Sequence, residues 1–100
     1  MVKMGFRWYG SQDDPIPLKY IRQIPGCKTL FSPYNYKQVS EVWPKERIKA
    51  LKDEVEAAGL KLEVIESVNI HDDIKIGLPT RDQYIENYKQ TIRNLAEYGI

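Results

Sequence analysis

One hundred residues make one domain at most, and a hydrophobic fraction of 42% beside 29% charged residues marks a folded chain rather than a disordered one. Fifteen basic and fourteen acidic side chains leave a formal charge of +1, with the basic residues scattered singly, which argues against nucleic-acid and anionic-membrane partners. Cys27 is alone, so an intramolecular disulfide framework and a cysteine zinc cluster are excluded; no apolar run is long enough to span a bilayer, the N-terminus lacks the apolar core of a signal peptide, and the cytoplasm is the expected compartment.

In chain order, Met4 to Tyr9 reads as a short strand that stops at Gly10. Pro15 or Pro17 opens a short helix, with Leu18, Ile21 and Tyr20 on its apolar side, and Pro25-Gly26 ends it. Lys28 to Ser32 is a second strand. Residues 33 to 43 are irregular and rich in aromatics. Pro44 opens a clear helix: Ile48, Leu51, Val55 and Ala58 recur at helical spacing, and Gly59 stands where a C-terminal glycine cap belongs. Leu60 to Val68 is the strongest strand. A helix then starts around Pro79 to Gln83, where Thr80 and Gln83 have the spacing of a capping box. Tyr84, Ile85, Tyr88, Ile92, Leu95 and Ala96 form its apolar face, and Gly99 reads as its cap. The order βαβαβα predicts an α/β fold with a parallel sheet.

The connections are asymmetric. The two αβ turns, Ile24 to Cys27 and Gly59 to Lys61, are minimal. The βα connections are longer: Gly10 to Asp14, Pro33 to Trp43 and Asn69 to Pro79. Loops of about 11 residues exceed the usual 2–6 for this connection and point to binding or catalysis. All three leave the carboxyl end of the sheet. They carry polar and aromatic groups, among them Trp8, Tyr9, Asp13, Asp14, Tyr34, Tyr36, Trp43, Glu66, Ser67, His71, Asp72, Asp73 and Lys75. Such a set suits a polar ligand with many hydroxyls.

Strand parity adds a specific expectation. Gly5, Arg7 and Tyr9 share one face of the first strand; Leu62, Val64 and Glu66 share one face of the third. Packing a charged Arg7 under a helix is costly. In a (β/α)₈ barrel, strands one and three contribute to the same interior layers, so Arg7 is expected to point into such an interior near its top and to pair with an acid of the third strand, Glu66 first. His71-Asp72-Asp73 has metal-capable side chains but not the spacing of a complete site. His71 is read as a group that contacts substrate, orients a neighbour or structures the loop. No phosphate-cradling glycine loop or nucleophile elbow is present.

Several segments at consistent spacing resemble the mannonate dehydratase family: Arg7-Trp8-Tyr9-Gly10 with Asp14-Pro15; Glu41-Val42-Trp43; Glu66-Ser67-Val68 through His71 to Asp73-Ile74-Lys75; and Asn87 to Ala96. Ser40 departs from the family's usual glycine, Asn69 from its proline and Asp72 from its glutamate; Phe31 to Gln38 also differs. The resemblance implies a (β/α)₈ TIM barrel of the xylose-isomerase-like type, of which residues 1–100 are the first three βα units of one domain. It implies a lyase that dehydrates D-mannonate to 2-keto-3-deoxy-D-gluconate, with Mn²⁺ or Fe²⁺ as cofactor. The family's metal ligands lie on later strands, so no metal ligand is expected in this chain. Arg7, Trp8, Tyr9, Glu66, Ser67 and His71 are the candidates for substrate contact or for orienting groups that make it; the catalytic residues stay unassigned.

Three units alone leave two open strand edges. The 100-residue chain is expected to lack activity by itself and to favour association, including a homo-oligomer. The alternatives are another sugar or sugar-acid isomerase or epimerase on the same barrel, and a non-catalytic βα module that binds through its open edges.

Overall fold

The computed structural model describes residues 2–32 and 39–100. Tyr34, Tyr36 and most of the second long loop lie outside the described residues. Seven elements follow one another: β1 (Met4–Arg7), α1 (Leu18–Arg22), β2 (Cys27–Ser32), α2 (Lys45–Ala57), β3 (Lys61–Ile65), α3 (Asp72–Lys75) and α4 (Arg81–Glu97). The strands form a three-stranded parallel sheet in the order β1-β2-β3.

Proline and glycine delimit the helices as the spacing predicts. Pro17 and Pro44 stand at the N-caps of α1 and α2. Proline is harmless there because the first N–H groups of a helix have no internal partner. Gly59 and Gly99 follow α2 and α4 with φ of 80° and 73°, a left-handed turn that costs glycine nothing.

The main core lies between the sheet and the helices. Trp8, Ile21, Cys27, Leu30, Val55, Leu60 and Leu62 are buried together, with Phe6 and Ile65 against them. A second cluster, Trp43, Ile48 and Leu95, joins α2 to α4. Lys45 pairs with Glu97 at 2.7 Å across that junction, and Lys52 Nζ donates to the Tyr98 carbonyl.

Four expectations need correction. Tyr20 is 57% exposed, so α1 buries Ile21 without it. Leu62 and Val64 do not behave as one face. Leu30 pairs with Leu62 but Phe31 with Val64, so Glu63 is an extra residue on β3. An extra residue reverses strand parity. Leu62 and Ile65 accordingly both reach the helix-side core, and Val64 is 46% exposed. The capping box at Thr80 is not formed: Thr80 sits in helical geometry, makes no side-chain cap, and donates its hydroxyl to Asp73 Oδ2 at 2.5 Å. Finally, α4 does not bury Ile92, which is 50% exposed, or Ala96; its buried residues are Thr91, Asn94 and Leu95.

The buried polar pair on α4 has a reason. Asn87 Nδ2 donates to the Ser40 carbonyl at 2.8 Å, Thr91 Oγ1 accepts the Trp43 N–H at 3.1 Å, and Asn94 Nδ2 donates to the Trp43 carbonyl at 2.9 Å. Helix α4 therefore holds the end of the second βα loop by its backbone. The molecule is elongated, 49 × 26 × 26 Å, with a radius of gyration of 15.1 Å. A compact domain of this length would have about 13 Å. No helix among the described residues is long and apolar enough to cross a membrane.

Candidate functional site

The sheet face away from the main core carries three successive levels of side chains. At its amino end, Glu63 accepts from Lys3 Nζ at 2.8 Å and from the Thr29 hydroxyl at 2.7 Å. The Lys3 ammonium, and next the Thr29 hydroxyl, hold the Glu63 carboxyl below the usual range for glutamate. In the middle, the Phe31 ring lies over Gly5. A Cβ built on Gly5 would meet Phe31 Cε1 at 3.1 Å, so the missing side chain makes room for the ring.

At the carboxyl end, Arg7 Nη1 meets the Glu66 carboxylate at 2.6 Å to Oε1 and 2.5 Å to Oε2. The guanidinium carbon also sits 4.4 Å from the centre of the Tyr9 ring. The expected pair of Arg7 with Glu66 is thus formed. Its side chains are about one-third to two-fifths exposed, at 36% and 41%. Glu66 occupies Nη1 alone, and Arg7 Nε is buried without a hydrogen-bond partner. The pair is fixed on one side by an aromatic face and open to solvent on the other.

The remaining candidates divide. Trp8 is 2% exposed and belongs to the core; its Nε1 donates to the Ile16 carbonyl at 3.2 Å, so it shapes the first loop from below. Ser67 is exposed on the chain just past Glu66. His71 belongs to a second group. It caps the short helix α3 by accepting the Asp73 N–H on Nδ1 at 3.0 Å, and its ring lies 4.4 Å from that of Tyr84. Since Nδ1 accepts, the neutral imidazole carries its proton on Nε2. A cavity of about 20 Å³ adjoins this ring, lined by Ser40, Trp43, His71, Tyr84, Tyr88 and Thr91 among others.

The acids around His71 are engaged with their own loop. Asp72 pairs with Lys75 at 3.0 Å, and the Lys75 ammonium holds its carboxyl below the usual range. Asp73 accepts from Thr80. Among the described residues, no three histidine, cysteine, aspartate or glutamate side chains converge as metal ligands. These residues do not fit a metal site by themselves.

Sequence reasoning missed several contributors. Lys3 and Thr29 gave no local signal, because their partner Glu63 is 60 and 34 residues away. Helix α3 is a single turn, too short for a periodicity. Asn87, Thr91 and Asn94, by contrast, recur at helical spacing and form a polar stripe that could have been seen.

The fold and site define a parallel α/β module whose charged and aromatic groups collect where strands end, the usual place for function in such sheets. A sequence profile described as "D-mannonate dehydratase (UxuA)" matches residues 2–100, and the chain belongs to that family. It is 66% identical over 99 residues to a mannonate dehydratase of Lactococcus lactis subsp. cremoris, covering 99% of this chain and 28% of the relative. A mannonate dehydratase of Thermotoga petrophila is 61% identical with the same coverage. The crystal structure of mannonate dehydratase from Streptococcus suis serotype 2 superposes with a TM-score of 0.93 at 48% identity, covering 100% of this chain and 28% of that one. The chain thus spans somewhat over a quarter of the length of the relatives it matches.

Proposed function

We propose that this chain forms part of the active-site wall of a mannonate dehydratase, a hydro-lyase acting on D-mannonate in hexuronate breakdown. The three levels of side chains on the free sheet face suit the interior of a (β/α)₈ barrel, whose strands contribute to such layers. In this reading residues 1–100 are its first three βα units. The observation that carries it is the Arg7–Glu66 pair beside Tyr9 at the carboxyl end of the sheet, in a chain of this family.

The reaction removes the C2 proton and the 3-hydroxyl as water. The resulting enol becomes 2-keto-3-deoxy-D-gluconate. Negative charge builds next to the C1 carboxylate as the C2 proton leaves, and a fixed cation beside it lowers that barrier. Arg7 supplies such a cation. Glu66 keeps it turned toward the strand end and accepts from substrate hydroxyls, while the Tyr9 face backs it. Ser67 and the Nε2–H of His71 donate to sugar oxygens or orient groups that do, and Trp8 supports the first loop. Mn²⁺ or Fe²⁺ belongs to this proposal as the cofactor that the family resemblance implies.

The test is turnover. The protein expressed from its complete reading frame, supplied with Mn²⁺ or Fe²⁺, is expected to convert D-mannonate to the 2-keto-3-deoxy acid and to stop when the metal is chelated. Absence of turnover contradicts the reading. Isomerisation or epimerisation of a related sugar or sugar acid in its place favours the other chemistry on the same scaffold.

A further inference from the structure

Tyr9 lies beyond the end of β1. The Trp8 N–H still donates to the Phe31 carbonyl at 3.1 Å, but the Tyr9 N–H turns instead to Asp14 Oδ2 at 2.9 Å. The other oxygen of the same carboxylate, Oδ1, accepts the Ile16 N–H at 2.9 Å. Asp14 is itself placed by a tight turn. The Gly10 carbonyl accepts the N–H groups of Asp13 and Asp14 at 3.2 and 2.9 Å, and Gly10 has a φ of 96° that favours glycine. One carboxylate therefore ties the two ends of the first loop together. One of those ends is the residue whose ring backs Arg7.

We infer that Asp14 is a positioning residue of the sheet-end site: it fixes the Tyr9 backbone so that the ring lies against Arg7 and sets the direction in which the guanidinium meets an incoming carboxylate. Loop closure alone is the blander role for Asp14, yet the Trp8 indole already holds the Ile16 end through its carbonyl. What Asp14 adds is the hold on Tyr9. Each amide takes a different oxygen of the carboxylate. Asparagine at this position keeps one acceptor oxygen and turns an NH₂ donor toward the second N–H.

The inference rests on the dehydratase reading for its kinetic test, made on the protein expressed from its complete reading frame. Asp14→Ala and Asp14→Asn are expected to lower kcat/KM for D-mannonate by about tenfold to hundredfold, as small misplacements of positioned groups do. The decisive measurement is a double-mutant cycle with Tyr9→Ala. If Asp14 acts through Tyr9, its replacement in the Tyr9→Ala background changes kcat/KM by less than about twofold. Losses that multiply independently, or a folded Asp14 variant with wild-type kcat/KM, overturn the inference. Should Asp14→Ala not fold, the cycle is run with Asp14→Asn. A wild-type protein without turnover overturns the dehydratase reading instead. The crystal structure of Asp14→Asn then decides the inference: a Tyr9 ring moved off Arg7 supports it, and a ring still 4.4 Å from the guanidinium overturns it.

Discussion

Ser40 has a φ of 79°, the one positive value among the described non-glycine residues. A side chain in that region costs on the order of 1–3 kcal/mol. Its hydroxyl oxygen is also buried without a hydrogen-bond partner. Glycine would remove both penalties and keep the backbone carbonyl that Asn87 bonds. The greater freedom of glycine in the unfolded chain offsets about 0.4–1 kcal/mol of this gain. Ser40→Gly is therefore expected to stabilise the protein by about 1 kcal/mol, seen as a higher melting temperature; a lower one contradicts the strain. Glu63 makes a second prediction at this scale. Its carboxyl is held low in the folded state by Lys3 and Thr29. The folded state thus binds fewer protons than the unfolded one over that range, so its contribution is present above the ordinary glutamate value of 4.5 and is lost as pH falls through the lower folded value. Glu63→Gln should flatten the acid limb of stability against pH in denaturant titrations, and an unchanged slope would contradict the assignment. The pair of Arg7 with Glu66 was legible from the sequence because a charge inside a strand needs a partner, but its geometry was not: strict alternation puts Glu66 on the side of Leu62, and the extra residue at Glu63 is what turns it toward Arg7. The partners of Glu63 were not legible, since side-chain alternation says nothing about which distant residue lies opposite an extra residue.

At the scale of elements, strand and helix identities follow from proline, glycine and apolar spacing, and they are largely as the sequence predicts. The departure on the face of α4 has a clear cause: hydrophobic spacing sees only apolar burial. Helix α4 turns Asn87, Thr91 and Asn94 inward because the backbone at Ser40 and Trp43 requires partners, and Ile92 is left half-exposed. Thr80 forgoes the capping box because Asp73 takes its hydroxyl. This inverts the usual ranking of polar and apolar positions on the helix. Thr91→Val keeps the shape but removes the acceptor of the buried Trp43 N–H, and should cost about 1–3 kcal/mol. Ile92→Ala should stay within about 0.5–1 kcal/mol, as for a side chain far from full burial. Denaturant unfolding of both variants checks the order, and a larger loss from Ile92→Ala would restore the apolar-face reading.

At the scale of the molecule, three parallel strands pack one face against the helices, no helix covers the other among the described residues, and each outer strand pairs on one side only among them. The free face carries Arg7, Glu63 and Glu66 rather than a continuous apolar layer, with Phe31 between. Such a surface suits a polar ligand approached from the strand ends. It also leaves edges that invite pairing. The 100-residue chain in isolation is expected to associate, and light scattering that shows a stable monomer would contradict this. The Arg7–Glu66 end of the sheet is expected to touch a sugar acid. The most direct measurement is a crystal structure of the protein from its complete reading frame bound to D-mannonate. A substrate carboxylate or hydroxyl oxygen about 2.7–3.2 Å from the Arg7 guanidinium is the predicted result. A sugar acid bound with neither Arg7 nor Glu66 in contact would contradict it.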